Sequence, residues 1–116
     1  LSPLAAELAA AVQRMVEATR ALLPMMGREP ARGLANASVY LDLVSRVVFA
    51  GLWLRQAVVA EAALAAGAAG VDAAFYQGKL QAARFYFGFE LPKHVADAAL
   101  LLRNDASAYE MRTEWF

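Results

Sequence analysis

The chain has 116 residues, enough for one domain with its own core but not for two. Hydrophobic residues make up 60% of it, and its 11 basic residues equal its 11 acidic residues. The zero net charge argues against nucleic-acid binding, which depends on an excess of cations. With no cysteine, disulfides and thiolate metal sites are excluded; this is compatible with the reducing cytoplasm, where we expect the protein to lie. The chain starts at Leu1 without a signal-like segment, so we expect a fragment of a longer protein, residues 1–116 forming a single helical domain.

The first predicted helix begins at Ser2, a residue that favours the N-cap, followed by Pro3, which suits the first turn. Apolar residues then recur at helical spacing as far as Leu22. Prolines and glycines between residues 24 and 33 predict a loop.

The second predicted helix runs from about Leu34 to Ala66, where Gly67 and Gly70 end it. Its apolar residues surround the helix instead of forming one stripe, which indicates a central helix buried on more than one face. Length alone suggests a membrane span, but Arg46, Arg55 and Glu61 interrupt the apolar run, and mid-membrane charges each cost about 2.5–3.5 kcal/mol. We therefore expect no membrane partner.

A third helix is predicted from Ala73, capped by Asp72, to about Arg103. Pro92 removes the hydrogen bond to the carbonyl of Gly88, so we expect a kink in one continuous helix. Ser107 and Glu110 have the spacing of a capping box and allow a short C-terminal helix. The predicted class is all-α, an antiparallel bundle of three long helices.

Two clusters suggest chemistry but have simpler interpretations. Glu90, His94 and Asp97 could share a helical face and hold a metal, yet a single histidine with two carboxylates is more often a solvated stripe. The aromatic residues around Lys79 and Arg84 resemble a stacking platform, but core packing explains them better in a chain without excess charge. Arg84 could also reach Asp42 or Glu61 on the second helix. No catalytic, metal or cofactor-binding residue is assigned.

An interface is the remaining candidate site. Phe49, Trp53 and Gln56 lie on a half-polar, aromatic-bearing face of the second helix, a composition typical of protein interfaces, although the two aromatic residues could equally point into the domain's own core. Trp115 and Phe116 need either to pack back on the bundle or to be covered by a neighbour.

Two stretches carry a family resemblance: NASVYLDLVSRVVFAGLWLRQA at residues 36–57 and FYQGKLQAARFYFGFELPKH at residues 75–94. They resemble the C-terminal appended domain of one group of acyl-CoA dehydrogenases, which includes enzymes acting on 3-methylmercaptopropionyl-CoA. The likeness extends from about Asn36 to Ala108. Its most specific part is the succession Phe75-Tyr76, Gly78-Lys79-Leu80, Ala83-Arg84-Phe85 and Leu91-Pro92.

The resemblance implies a structural or oligomerisation role in a homo-oligomer, with the dehydrogenase core of the same chain as a partner. The parent enzyme would use FAD to desaturate an acyl-CoA and pass electrons to an electron-transfer flavoprotein. The catalytic glutamate of such enzymes stands in a Tyr-Glu-Gly-Thr run, but here Met111 follows Tyr109-Glu110, so no catalytic residue is transferred. A free-standing module that binds an apolar ligand or a protein partner remains the alternative.

Overall fold

The computed structural model describes residues 1–116, and it is all-helical as predicted, with no strand. Three long helical segments pack against one another. The α-helices are α1 (Ser2–Arg28), α2 (Pro30–Leu34), α3 (Ala37–Ala65), α4 (Gly70–Phe85) and α5 (His94–Leu102).

The loop predicted for residues 24–33 is wrong. Helix α1 continues through Pro24 to Arg28, the chain turns at Glu29, and α2 follows at once. The apolar side chains beyond Pro24 maintain the packing, because Met26 lies directly against Gly33 of α2. Ser2 is already helical and Leu1 occupies the N-cap without a side-chain hydrogen bond, so the predicted serine cap is also wrong.

Helix α3 is the centre of the bundle and contacts α1, α4 and α5. It begins three residues later than predicted, because Leu34 belongs to α2. Its inward residues include Leu43, Val47, Ala50 and Ala57, which are spaced by four, three and seven residues and are all buried. By length and composition alone, α3 is the one helix that could cross a membrane.

The third segment is continuously helical to Leu102, but it is not one regular helix. It starts at Gly70, so the predicted cap Asp72 lies inside the first turn. A π-turn, Tyr86–Glu90, and a 3₁₀ turn, Leu91–Lys93, join α4 to α5. The irregularity therefore begins six residues before Pro92, and the proline takes an early position of the 3₁₀ turn, where its missing N–H is tolerated.

The tail after α5 contains only one 3₁₀ turn, Thr113–Trp115. The capping box predicted at Ser107 does not form, because the Ser107 backbone N–H and hydroxyl both donate to Asp105. These hydrogen bonds lower the pKa of the Asp105 carboxyl. Trp115 and Phe116 do not pack back on the bundle and are 60% and 95% exposed.

The core is small for the size of the chain. Only 16 of 116 residues are buried, and 14 of them form two apolar clusters. The larger cluster joins α1, α3 and α5, whereas the smaller one joins α3 and α4 through Ala57, Ala60, Leu80 and Ala83.

The shape is correspondingly extended. The molecule measures 64 × 30 × 17 Å, and its radius of gyration is 18.8 Å, against about 13 Å expected for a compact domain of this length. The accessible surface is 7396 Å², whereas a globular monomer of this mass exposes about 6,200 Å². The chain therefore exposes roughly 1,200 Å² more than a compact monomer would.

The contact between Gly33 and α1 gives a direct test of this fold. A Cβ added at Gly33 would lie 2.8 Å from the Met26 Cα, so Gly33→Ala should lower the free energy of unfolding by about 1–3 kcal/mol. At Gly27, in the last turn of α1, an added Cβ meets nothing within 4 Å. Gly27→Ala should therefore raise the free energy of unfolding by up to about 1 kcal/mol. Urea unfolding of the two variants measures both changes, and equal effects would contradict the α1–α2 packing.

Candidate interaction surface

The outward side of α3 is an exposed apolar strip. Leu41, Val48, Leu52 and Val59 are spaced by seven, four and seven residues, which places them on one line along the helix, and each is between 44% and 65% exposed. Phe49 and Val58 flank this line and are also exposed. These six residues are called the α3 surface below. It is about 27 Å long, from the helical rise over the 18 steps between its ends.

Helix α4 has apolar residues on two opposite sides. Tyr76, Leu80, Ala83 and Phe87 face α3, and their spacing of four, three and four residues is that of a helix-packing face. A second set with the same spacing lies about half a turn away and is partly or fully exposed. It is called the α4 stripe and consists of Val71, Phe75, Gly78, Ala82, Phe85 and Phe89.

The α4 stripe corrects the expectation that the aromatic residues of this segment belong to the core. Phe87 is buried, but Phe75, Phe85 and Phe89 are 58%, 54% and 67% exposed. Phe85 and Phe89 stack on each other with ring centres 4.8 Å apart. The heptad spacing of the stripe is present in the sequence, with glycine and alanine at its centre.

The predicted interface residues have different environments. Phe49 and Gln56 are exposed on the outward side of α3. Trp53 is half-buried and packs against both apolar clusters, and the Lys79 ammonium lies 5.6 Å from its ring centre. Trp53 thus belongs largely to the domain's own core, whereas Phe49 does not. Trp115 and Phe116 are exposed in the tail.

A groove between α3 and α4 lies beside these residues. Its volume is about 490 Å³, and it is open to solvent. The apolar side chains of Leu52, Val59 and Phe75 line it. Arg55 and Lys79 add positive charge, and neither forms an ion pair.

The ion pairs that join the helices involve Arg46. Its Nε lies 3.2 Å from Asp97 Oδ2, and its Nη1 lies 3.8 Å from Glu90 Oε2. The Tyr86 hydroxyl donates to the Arg46 carbonyl oxygen at 2.9 Å. The prediction that Arg84 makes the cross-helix pair is wrong, because Arg84 is exposed and forms no ion pair. Arg46 therefore fixes the π-turn and α5 against α3.

The site considered for a metal is occupied by protein contacts. His94 is buried, its Nδ1 lies 2.6 Å from the Leu91 carbonyl oxygen, and its Nε2 lies 3.0 Å from Arg14 Nη1. A ring that donates from Nδ1 and accepts at Nε2 satisfies both contacts. No group of three or more metal-ligating side chains comes together in the structure. His94 therefore links α1 to the start of α5.

Comparison with known proteins gives one family. The family model described as "Acetyl-CoA dehydrogenase C-terminal like" matches residues 1–112. No curated protein matches the chain. The matched range covers every helix described above and ends within the tail.

The Tyr86 contact predicts how stability depends on pH. Burial raises the pKa of the Tyr86 phenol above its usual value of 10.0, since Arg46 opposes this shift only in part. Above pH 10 the unfolded chain therefore loses this proton before the folded chain does, and the free energy of unfolding should fall as pH rises. Below that pH this contribution is fully present.

The matched variants are Tyr86→Phe and Tyr109→Phe, the latter in the exposed tail. Tyr86→Phe should cost about 1 kcal/mol at neutral pH, because it removes the hydrogen bond to Arg46. It should also flatten the alkaline decline, which Tyr109→Phe should leave unchanged. Denaturant unfolding between pH 7 and 11 measures both effects, and the same alkaline slope in both variants would contradict the assignment.

Proposed function

The chain belongs to the acetyl-CoA dehydrogenase C-terminal-like family, and on that basis we propose that it is the C-terminal structural and oligomerisation domain of an FAD-dependent acyl-CoA dehydrogenase. The parent enzyme belongs to the group that includes the 3-methylmercaptopropionyl-CoA dehydrogenases. It acts in the cytoplasm, desaturates an acyl-CoA between the α and β carbons, and passes electrons to an electron-transfer flavoprotein.

The α3 surface is the observation that carries this proposal. Monomeric proteins rarely leave a continuous apolar area of several hundred Å² in contact with water. Here four aliphatic residues in a line, with two further apolar residues beside them, extend over the middle part of α3. Asp42, Ser45 and Gln56 border the α3 surface, and an apolar centre with a polar rim is typical of a protein interface.

We propose that the dehydrogenase core of the same polypeptide covers the α3 surface. A further partner is needed on that side because α1, α4 and α5 pack against the buried residues of α3 and leave the α3 surface exposed. Burying apolar area stabilises by roughly 25 cal/mol per Å², so covering even a few hundred Å² contributes several kcal/mol. The C-terminal domain is therefore stabilised by the dehydrogenase core that covers its α3 surface.

The flavin belongs outside this chain. The residues present do not fit FAD, because the grooves are open to solvent and lined mostly by hydrophobic side chains, with Arg55 and Lys79 as their only cations. Glu110 lies in the exposed tail within Tyr109-Glu110-Met111, which departs from the glutamate run of the family. The contribution of this chain is therefore structural, and no chemical step is assigned to it.

The reading frame before Leu1 tests the proposal. It should encode a flavin-binding dehydrogenase domain with its catalytic glutamate, and the purified full-length protein should bleach its flavin absorbance on addition of an acyl-CoA. Leu52→Glu places a charge within the α3 surface, and Ala21→Glu places the same charge on an exposed position of α1.

In the full-length protein, Leu52→Glu should lower the thermal midpoint of the flavin-containing unit by several degrees, and Ala21→Glu should not. A reading frame without a flavin domain would overturn the proposal. Equal effects of the two substitutions would show that the α3 surface is not the contact with the dehydrogenase core.

The groove between α3 and α4 favours the second candidate, a module that binds an apolar ligand. Its aliphatic floor suits an acyl chain, and Arg55 and Lys79 suit a carboxylate head group. Under this alternative, a medium-chain fatty acid at 100 times its dissociation constant should add about 2.7 kcal/mol to the free energy of unfolding. Lys79→Gln should weaken that effect, and unchanged thermal midpoints across a series of fatty acids would exclude the alternative.

A further inference from the structure

We propose that the α4 stripe is a self-association surface, on which the α4 helices of two copies of this chain pair antiparallel about a two-fold axis near residue 80. The inference rests on the proposed role as an oligomerisation domain and assigns one surface to that role. The α3 surface remains available for contact with the dehydrogenase core.

Helix α4 has two packing faces and uses only one of them in the single chain. Its inward face, with Leu80 and Ala83 buried, meets α3. The outward residues repeat the same four-and-three spacing over 18 steps, from Val71 to Phe89, which lies in the π-turn that follows α4. A sustained spacing of this kind is the pattern by which one helix packs along another. A second helix can approach the α4 stripe, because the stripe lies on the side of α4 that faces away from α3.

The α4 stripe is complementary to a second copy of itself. When two copies run antiparallel about residue 80, Gly78 lies opposite Ala82, Phe75 opposite Phe85, and Val71 opposite Phe89. Small residues thus meet small residues at the centre, where the two helices approach most closely, and large residues meet at both ends. Two-fold pairing requires a patch that matches its own copy in this way.

Gly78 supports close approach at the centre. A glycine inside a helix costs about 0.5–1 kcal/mol relative to alanine. An added Cβ at Gly78 would meet nothing within 4 Å, so the packing of the single chain gives no reason for glycine there. The approach of a second helix backbone is such a reason.

The exposed area of the chain leaves room for a dimer contact. The surface in excess of a compact monomer is roughly 1,200 Å² over the whole chain, the α3 surface included, and a stable interface takes about 800 Å² from each partner. The six residues of the stripe carry no charge. Cations border both surfaces: the Lys79 ammonium lies 5.4 Å from the ring centre of Phe75 in the stripe, and Arg55 lies beside Leu52 and Val59 of the α3 surface.

Cross-linking tests both the contact and its direction, since the chain has no cysteine of its own. Gly78→Cys and Ala82→Cys are prepared as separate variants, one with a size tag, and are mixed and oxidised. Gln77→Cys, an exposed neighbour off the stripe, is the control. The expected main product is the mixed dimer joined between positions 78 and 82, with at least ten times the yield of the control.

Two results would overturn the proposal. The first is a yield no greater than that of Gln77→Cys. The second is a dominant link between two copies of Gly78→Cys, which would indicate parallel helices, because antiparallel pairing separates these positions by four residues, or about 6 Å along the axis.

Sedimentation of charge variants gives an independent measurement. Gly78→Glu has room in the single chain and should keep its helical circular dichroism, but it should raise the dimer dissociation constant at least tenfold. Gln77→Glu adds the same charge and should leave the constant unchanged. Equal dissociation constants for the two variants, or a wild-type chain that stays monomeric, would reject the pairing.

The outcomes separate the two proposals. If the pairing fails but the reading frame encodes a flavin dehydrogenase and Leu52→Glu disturbs it, only the α4 proposal falls. If the pairing is found without such a frame, the chain is a self-associating helical module and the proposed function falls.

Discussion

Helix α3 has more apolar circumference than its neighbouring helices can cover. Helices α1 and α5 bury Leu43, Val47 and Ala50 on one side, α4 buries Ala57 and Ala60 further along the helix, and the opposite side remains aliphatic. The extended shape, the small core and the large accessible surface all follow from this constraint, because a bundle of this size has no further helix with which to close the second side. The proposed contacts with the dehydrogenase core and with a second copy of the chain complete that burial.

The connection between α4 and α5 determines which residues face outward. A π-turn adds about one residue to the helical turn, so it shifts the faces of α4 and α5 relative to each other. Phe87 is thereby buried in the larger cluster, while Phe85 and Phe89 stack together on the outside. Arg46 maintains the arrangement, since it pairs with Asp97 and accepts the Tyr86 hydroxyl bond at its carbonyl. The contacts that stabilise the bundle therefore also hold these two aromatic residues on its surface.

The helical class, the three long segments and the family could be predicted from the sequence, because helical spacing and specific residue successions are local signals. The errors have local causes as well. Pro24 suggested a loop, yet the contact between Met26 and Gly33 continues the helix beyond it. Ser107 had the spacing of a cap, but its backbone N–H and hydroxyl donate to Asp105 instead. The exposure of Phe75 and Phe85 could not be predicted, because both outward and inward rows of α4 have helical spacing and only the packing on α3 distinguishes them.

The central claim is that this chain does not exist alone in water with its apolar surfaces bare. Small-angle X-ray scattering over a dilution series tests it most directly. The account predicts a radius of gyration well above the 18.8 Å of the single chain at high concentration, with a fall toward that value and an increase in apolar-dye binding per chain on dilution. A radius near that of the single chain at every concentration, without dye binding, would contradict it.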